Sequence, residues 1–332
     1  MDLLIEQRAE IERHIRALGW LADDDELLAL DKPGEGNMNR TLRATTKQGT
    51  LILKQSLNCV AKYPHIPAPI ERLEVERLFY AAVSQHDALS LRVPQVLGYD
   101  ARHHLLALED LGDGGDLSTL YQSRTTASDL RAGEITGLVY WLWKLHALPI
   151  EDEGPFGNQA MRSLNHAHIF EVPLDADNGV ALTPGLEAMA RELRADPGVR
   201  ATAEQLGEIY LGRQPHQSRP ALLHGDFYPG SWLSHPTLGA AVIDPEFAFI
   251  GPPEFDLGVM IAHLMFCDYG EQDLSNILRS YVTPPGFEFS LAMRFAGMEI
   301  IRRLLGVAQL PLREDDSAKI NWLNAARSML AA

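Results

Sequence analysis

A carboxylate in a tight polar turn, trailed by a second acidic pair, is the arrangement in this chain best suited to chemistry. The turn is His224-Gly225-Asp226-Phe227-Tyr228-Pro229-Gly230-Ser231, and Ile243-Asp244-Pro245-Glu246-Phe247 closes the apolar run 240–243. Transfer of a phosphoryl group asks for such a set: one carboxylate faces the attacking hydroxyl, and another holds the magnesium that neutralises the phosphates. The transition state is loose, so Asp226 need only orient the hydroxyl or accept its proton, and a strong base is unnecessary. Ser231 stands five residues after Asp226, the spacing at which such sites carry a polar metal ligand. Its hydroxyl suits either magnesium or a hydrogen bond within the turn. In extended chain Asp244 and Glu246 project to the same side. Two such carboxylates near Asp226 repel unless a cation lies between them, and oxygen-only ligands are what Mg²⁺ prefers. Two solvated acids are the plainer alternative, but the apolar strand before them and Phe247-Ala248-Phe249 after them imply partial burial. His224 reads as a brace for the turn rather than a second base.

Three further groups fit this chemistry. Gly34-x-Gly36 precedes two short strands, and glycine lets backbone amides approach phosphate closely and tolerates positive φ. Taken alone such a pair is more often a plain turn. Lys54 follows Leu51-Ile52-Leu53 and, on a strand, can point inward to grip ATP phosphates, with a glutamate from the next helix holding it. Glu74 and Glu76 lie on different faces of that helix, so only one can serve, and Glu74 is the expected one. The pair Arg302-Arg303 sits in an otherwise apolar stretch, 298–306. Buried arginines need partners; they either snorkel to solvent or clamp substrate oxygens with forked hydrogen bonds.

These side chains need elements to position them. Residues 3–19 carry apolar positions at helical spacing. Strands are expected at 41–46 and 50–55 around the turn Lys47-Gln48-Gly49, a helix over 70–84, and a strand pair at 92–99 and 104–109. The turn-rich segment 110–116 is the expected lobe boundary. Beyond it 135–147 and 186–211 read as helices, short strands and loops carry 221–256, and helices dominate the tail. The fold class is therefore α+β: a small β-rich N-lobe over 1–110 and a larger, mainly helical C-lobe over 111–332.

Composition narrows the partners. Forty-five acidic against 29 basic residues give a net charge of −16, which argues against nucleic acid and anionic membrane as partners. An acidic balance would suit a cationic substrate, but an ordinary acidic surface is the plainer reading. The two cysteines, Cys59 and Cys267, form no metal-binding or disulfide pattern, and with no basic-then-apolar leader and no apolar run of membrane-spanning length a cytoplasmic setting is expected.

Taken in order, the motifs resemble the aminoglycoside phosphotransferase and choline kinase superfamily, and within it the 5-methylthioribose kinases. The likeness rests on Gly34-Glu35-Gly36-Asn37-Met38-Asn39, Leu53-Lys54-Gln55, Leu164-Asn165-His166-x-His168-Ile169-Phe170, the His224-Gly225-Asp226 turn with Gly230-Ser231, Ile243 to Phe249 with Gly251-Pro252, Phe255-Asp256-Leu257-Gly258, and Ile301 to Gly306. It runs in islands over residues 30–310. It implies a protein-kinase-like bilobal fold with ATP and Mg²⁺ as cofactors. Asp226 would be the catalytic base at the substrate hydroxyl. Asp244, Glu246 and Ser231 would hold metal. Gly34, Gly36, Asn37, Lys54 and the helix glutamate would bind the nucleotide. The stretch Leu106–Leu111, with Glu109 and Leu111, would present backbone groups to adenine. Arg302 and Arg303 would contact the acceptor sugar and its developing charge. The superfamily's Asn at the fifth place after Asp226 is Ser231 here, as it is in the methylthioribose kinases. Tyr228-Pro229 stands where those kinases tend to show His-Thr, and the chain is shorter than they are; both departures bear on the acceptor.

The expectation is an ATP-dependent kinase acting on 5-methylthioribose or a similar pentose in methionine salvage. An aminoglycoside or amino-alcohol kinase of the same fold is the second reading, and a nucleotide-binding protein without turnover the third. A homodimer would be consistent with the resemblance, although no sequence feature demands one.

Overall fold

A period-two alternation governs much of residues 40–55, and a helical period governs most of the chain beyond residue 129; the elements follow those periods. The computed structural model describes residues 1–34, 36, 38–122, 129–149, 153–312 and 315–332. In chain order come α1 (Arg8–Ala17), β1 (Leu27–Asp31), β2 (Arg40–Thr46), β3 (Thr50–Gln55), α2 (Arg72–Val83), α3 (Asp87–Ser90), β4 (Val96–Asp100) and β5 (Leu105–Glu109). Next are α4 (Asp129–His146), α5 (Gln159–His166), α6 (Pro184–Ala195), α7 (Pro197–Tyr210) and β6 (Ala221–Leu223). The hairpin β7 (Trp232–His235) and β8 (Gly239–Val242) precedes β9 (Phe249–Gly251), α8 (Pro253–Phe266), α9 (Glu271–Leu278), α10 (Phe289–Leu305) and α11 (Asp316–Ala331). No helix among the described residues is long and apolar enough to cross a membrane.

The chain divides into two units, Met1–Asp116 with Trp232–Phe247, and Leu117–Ser231 with Ala248–Ala332. The first unit rests on an antiparallel sheet of order β1-β2-β3-β5-β4. Its core is Leu27, Leu42, Leu53, Leu105 and Ala107, covered by Ile11 and Ile15 of α1. Because side chains alternate along β3, Lys54 projects opposite to Leu53. Its cross-strand neighbours are Thr41 on β2 and Leu106 on β5.

Two sets of contacts extend the first unit past residue 110. Arg43 grips the following segment: its Nε lies 2.7 Å from Asp110 Oδ2, and its Nη2 donates to the Gly112 carbonyl at 2.8 Å. The hairpin β7–β8 also returns to the first unit. Ser234 N donates to Gly115 O at 2.9 Å, Val242 N donates to Arg92 O at 2.6 Å, and the Arg92 guanidinium caps the carbonyls of Leu238 and Ala240. Gly114 is required there, because a Cβ would lie 2.1 Å from Ser234 O. Backbone pairing between segments more than a hundred residues apart leaves no local mark in the sequence.

The second unit is mainly helical. The stretch expected as one helix over 186–211 is two, because Asp196 caps α7 by accepting from Gly198 N at 2.9 Å and Val199 N at 3.3 Å, with Pro197 opening the new helix; proline at that position has no amide to waste. Its core joins Tyr210, Phe249, Phe255 and Phe295, with ring centroids 4.9 Å apart for Tyr210–Phe249, 4.8 Å for Tyr210–Phe255 and 5.4 Å for Phe255–Phe295. Helices α8 and α10 approach closely at Gly258, where a Cβ would fall 2.5 Å from Ala292 O and 2.8 Å from Phe295 Cβ. Backbone cannot yield there as a flexible side chain could. Gly258→Ala is therefore expected to lower stability by on the order of 1–3 kcal/mol despite alanine's better helix propensity, read as a lower urea midpoint; an unchanged or raised midpoint would show that the crossing relaxes freely.

Candidate active site

Lys54 organises the first unit's polar cluster. Its ammonium sits 2.7 Å from both Glu76 carboxylate oxygens and 2.7 Å from Asp244 Oδ1. Burial works against the charge of Lys54, but the carboxylates of Asp244, Glu76 and Glu246 overcome it and raise its pKa. Burial, with Asp244 and Glu246 adding to it, pushes Glu76 upward although the ammonium opposes. The expected pairing of Lys54 with Glu74 is thus corrected. Glu76 lies on the buried face of α2, whereas Glu74 points outward and binds Arg77 one turn on, at 2.6 Å.

The acidic pair is not arranged as extended chain. Residues Pro245–Phe247 form a short 3₁₀ turn, and Asp244 has φ 63, a left-handed conformation uncommon for a residue with a side chain and frequent at functional sites. The two carboxylates therefore part. Glu246 is buried, its Oε2 accepting from Asn39 Nδ2 at 2.9 Å and facing Arg72 Nε at 3.2 Å. Burial raises its pKa against the pull of Lys54 and Arg72. Asp244 keeps 45% of its side chain exposed, and its amide donates to Tyr80 Oη at 3.2 Å. An accessible hard oxygen donor beside a buried lysine fits a magnesium-bound phosphate; Glu246, tied to Arg72, is the less open of the two.

The glycine segment shows less than expected. Neither Gly34 nor Gly36 takes positive φ, and a Cβ at Gly34 would meet nothing within 4 Å. Asn37, with Glu35, lies outside the described residues. Glu109 ends β5; its amide donates to Gln95 O at 2.9 Å and its Oε2 accepts from Gln95 N at 3.1 Å, and Leu111, two residues on, is half-buried.

In the second unit, Asp256 builds the Asp226 turn. From the first turn of α8 its carboxylate accepts from His224 N at 2.7 Å and Gly225 N at 2.9 Å. Gly225 has φ 84, a conformation open to glycine. Trp141 stacks on Phe227, and Ser231 donates its hydroxyl to the Asp226 carbonyl at 2.9 Å. Of Ser231's two expected roles, this is the bond within the turn.

The carboxylate of Asp226 meets the arginine pair: its Oδ1 lies 3.1 Å from Arg303 Nη2 and 3.4 Å from Arg302 Nη1. Both arginines are buried, and Glu299 one turn earlier on α10 answers their charge. It accepts from Arg303 Nε at 2.5 Å and Arg302 Nη1 at 3.1 Å. Burial opposes ionisation of Glu299, yet Arg302, Arg303 and the His263 hydrogen bond hold it well below the usual carboxylate range. Arg303 lies over the Tyr228 ring at 4.5 Å. Arg302 Nε is buried without a hydrogen-bond partner. His168, on a π-helical turn, is kept neutral by burial and then by Arg302.

Glu299, Asp256, His263 and Arg72 were not singled out from sequence as site residues. Glu299 had a local signal, standing at i−3 and i−4 to the arginines; the others act across long separations. His263 bridges Glu299 Oε1 at 2.9 Å and Tyr121 Oη at 2.6 Å. The ionised Glu299 can only accept, so Nε2 carries the proton and Nδ1 accepts from tyrosine. Burial depresses His263 to about 4, from 6.5. The unfolded chain therefore takes up a proton below 6.5 that the folded chain refuses, and stability falls with pH from there to about 4. Between pH 7 and 5 the wild type is expected to lose on the order of 2 kcal/mol more than His263→Gln, measured by urea unfolding at both pH values; parallel losses would remove His263 from this linkage.

A methylthioribose kinase of Bacillus cereus (strain B4264) is 25% identical over 350 residues, spanning 90% of this chain and 84% of its own. A choline kinase of Streptococcus pneumoniae superposes with a TM-score of 0.57 at 14% identity over 98% of this chain and 99% of that one. A structure of the same kinase with AMP superposes at 0.56, with 15% identity and 97% of both chains covered. These neighbours share the protein-kinase-like bilobal α+β fold. The model of the phosphotransferase enzyme family matches residues 30–289, the span that carries the Lys54 cluster, the Asp226 turn and the acidic pair, and the chain is a member of that family.

Proposed function

We propose that this chain is an ATP- and Mg²⁺-dependent kinase that phosphorylates a hydroxyl of a neutral sugar, 5-methylthioribose or a similar pentose, in methionine salvage. Lys54, held by Glu76, binds nucleotide phosphates. Asp244 holds magnesium, with Glu246 completing the acidic set, and the glycines Gly34 and Gly36 leave room for the nucleotide. Magnesium supplies neutralisation of the phosphate charge. Asp226 orients the acceptor hydroxyl and takes its proton. Glu109 and Leu111 border the backbone groups offered to adenine.

The observation that carries the acceptor reading is the Asp226–Arg303–Arg302 arrangement on Glu299. Guanidinium groups donate hydrogen bonds and repel ammonium groups. A polyhydroxylated neutral acceptor suits guanidinium donors set beside Asp226. The name of the Bacillus cereus relative points to the same acceptor.

Phosphoryl transfer from Mg-ATP to a panel of 5-methylthioribose, ribose, choline, homoserine and kanamycin tests the reading, with products followed by ³¹P NMR. Methylthioribose is expected to be turned over with a kcat/KM at least 100-fold above that for choline or kanamycin, the order that loss of matched polar contacts gives. Preference for a cationic acceptor would overturn the substrate and keep the chemistry. Absence of transfer to any member, with Mg-ATP bound, would favour the non-catalytic reading.

A further inference from the structure

The first unit carries a second polar cluster that phosphoryl transfer does not use. His14 on α1 and His103 in the β4–β5 turn both aim a ring nitrogen at Asp100. His14 Nε2 and His103 Nδ1 each lie 2.7 Å from Asp100 Oδ2, and the two rings meet edge to face at 4.5 Å. The three side chains are largely but not wholly buried, with 21%, 11% and 24% of His14, Asp100 and His103 exposed. Small ions can therefore reach them.

We propose that His14, Asp100 and His103 form a three-ligand site for a borderline divalent transition metal such as Zn²⁺, which pins α1 to the β4–β5 turn. Two imidazoles and one carboxylate are the ligand types such ions take, with water or another donor in the fourth position. The three ligand atoms all lie within 4.8 Å of one another. A tetrahedral ion with bonds of about 2.1 Å needs ligand atoms roughly 3.4 Å apart, so the cluster opens by less than an ångström at its two short contacts. Both imidazoles are neutral ligands once the ring proton moves to the far nitrogen, and the metal then replaces two N–H···O contacts to one oxygen.

The segments that carry the three ligands are tied down by hydrogen bonds. Asp100 Oδ1 accepts from Arg102 N at 3.0 Å. Gln55, buried on β3, donates to His103 O at 3.1 Å and to Met1 O at 3.1 Å, and its Oε1 accepts from Leu3 N at 2.7 Å. One buried amide thus ties the ligand-bearing turn to the segment that leads into α1.

The test is titration of the untagged, EDTA-dialysed full chain with ZnCl₂ by calorimetry, alongside His14→Ala, His103→Ala and the double variant carrying both. One Zn²⁺ per chain is expected, bound at least ten-fold more weakly by either variant. Zinc should also raise the wild-type melting temperature and leave the double variant's unmoved. Co²⁺ in place of zinc should give the intense visible bands of a four-coordinate site in the wild type alone. Circular dichroism in EDTA checks that the variants fold. No saturable zinc binding would overturn the site, and so would affinity unchanged in the double variant.

Discussion

Two arginines cannot stay buried in an apolar helix without an answering charge, and Glu299 supplies it. Removing one partner of a buried ion pair leaves a charge stranded and costs several kcal/mol. The network of the second unit follows from that constraint. Glu299 fixes Arg302 and Arg303, His263 and Tyr121 fix Glu299, and the arginines fix the Asp226 carboxylate. A carboxylate held this way is oriented before any ligand arrives, and in the proposed phosphoryl transfer such positioning is the main lever on the rate.

The first unit meets the same constraint with opposite sign. There the buried cation is Lys54, and Glu76 and Asp244 answer it. The cluster holds an excess of acid over base, since Glu246 is matched by Arg72 while Glu76 and Asp244 share one ammonium. An added divalent cation would relieve that excess, and Asp244 is the member accessible to one. The strained backbone at Asp244 is kept by the Tyr80 hydroxyl and the Lys54 ammonium.

The parts of this arrangement visible in the sequence are those with local signatures. Alternation marked β2 and β3, and helical spacing marked α1, α2 and the interior of α4. The short polar turn around Asp226 and the apolar run before Asp244 stand out for the same reason. β1 did not, because Leu27-Leu28-Ala29-Leu30 lacks alternation and acquires its strand character by pairing with β2. The break at Asp196-Pro197 was legible as a cap followed by proline and was overridden by the apolar periodicity on both sides. Glu76 over Glu74 depends on the phase with which α2 packs, which helical spacing alone does not fix. Asp256 bracing the Asp226 turn, and His14 meeting Asp100, join residues 31 and 86 positions apart. Such contacts are tertiary and leave no period to read.

Labour is divided in the proposed mechanism: the Lys54–Asp244 cluster binds the metal nucleotide, and the arginine-held Asp226 serves the acceptor. The most direct measurement is the Mg-ATP dissociation constant and kcat of Asp226→Asn and Asp244→Asn side by side. Asp226→Asn should keep Mg-ATP affinity within about two-fold and lose at least 100-fold in kcat, the range of a positioned proton acceptor, while Asp244→Asn should weaken Mg-ATP binding itself. Full turnover in Asp226→Asn, or unchanged Mg-ATP affinity in Asp244→Asn, would contradict it.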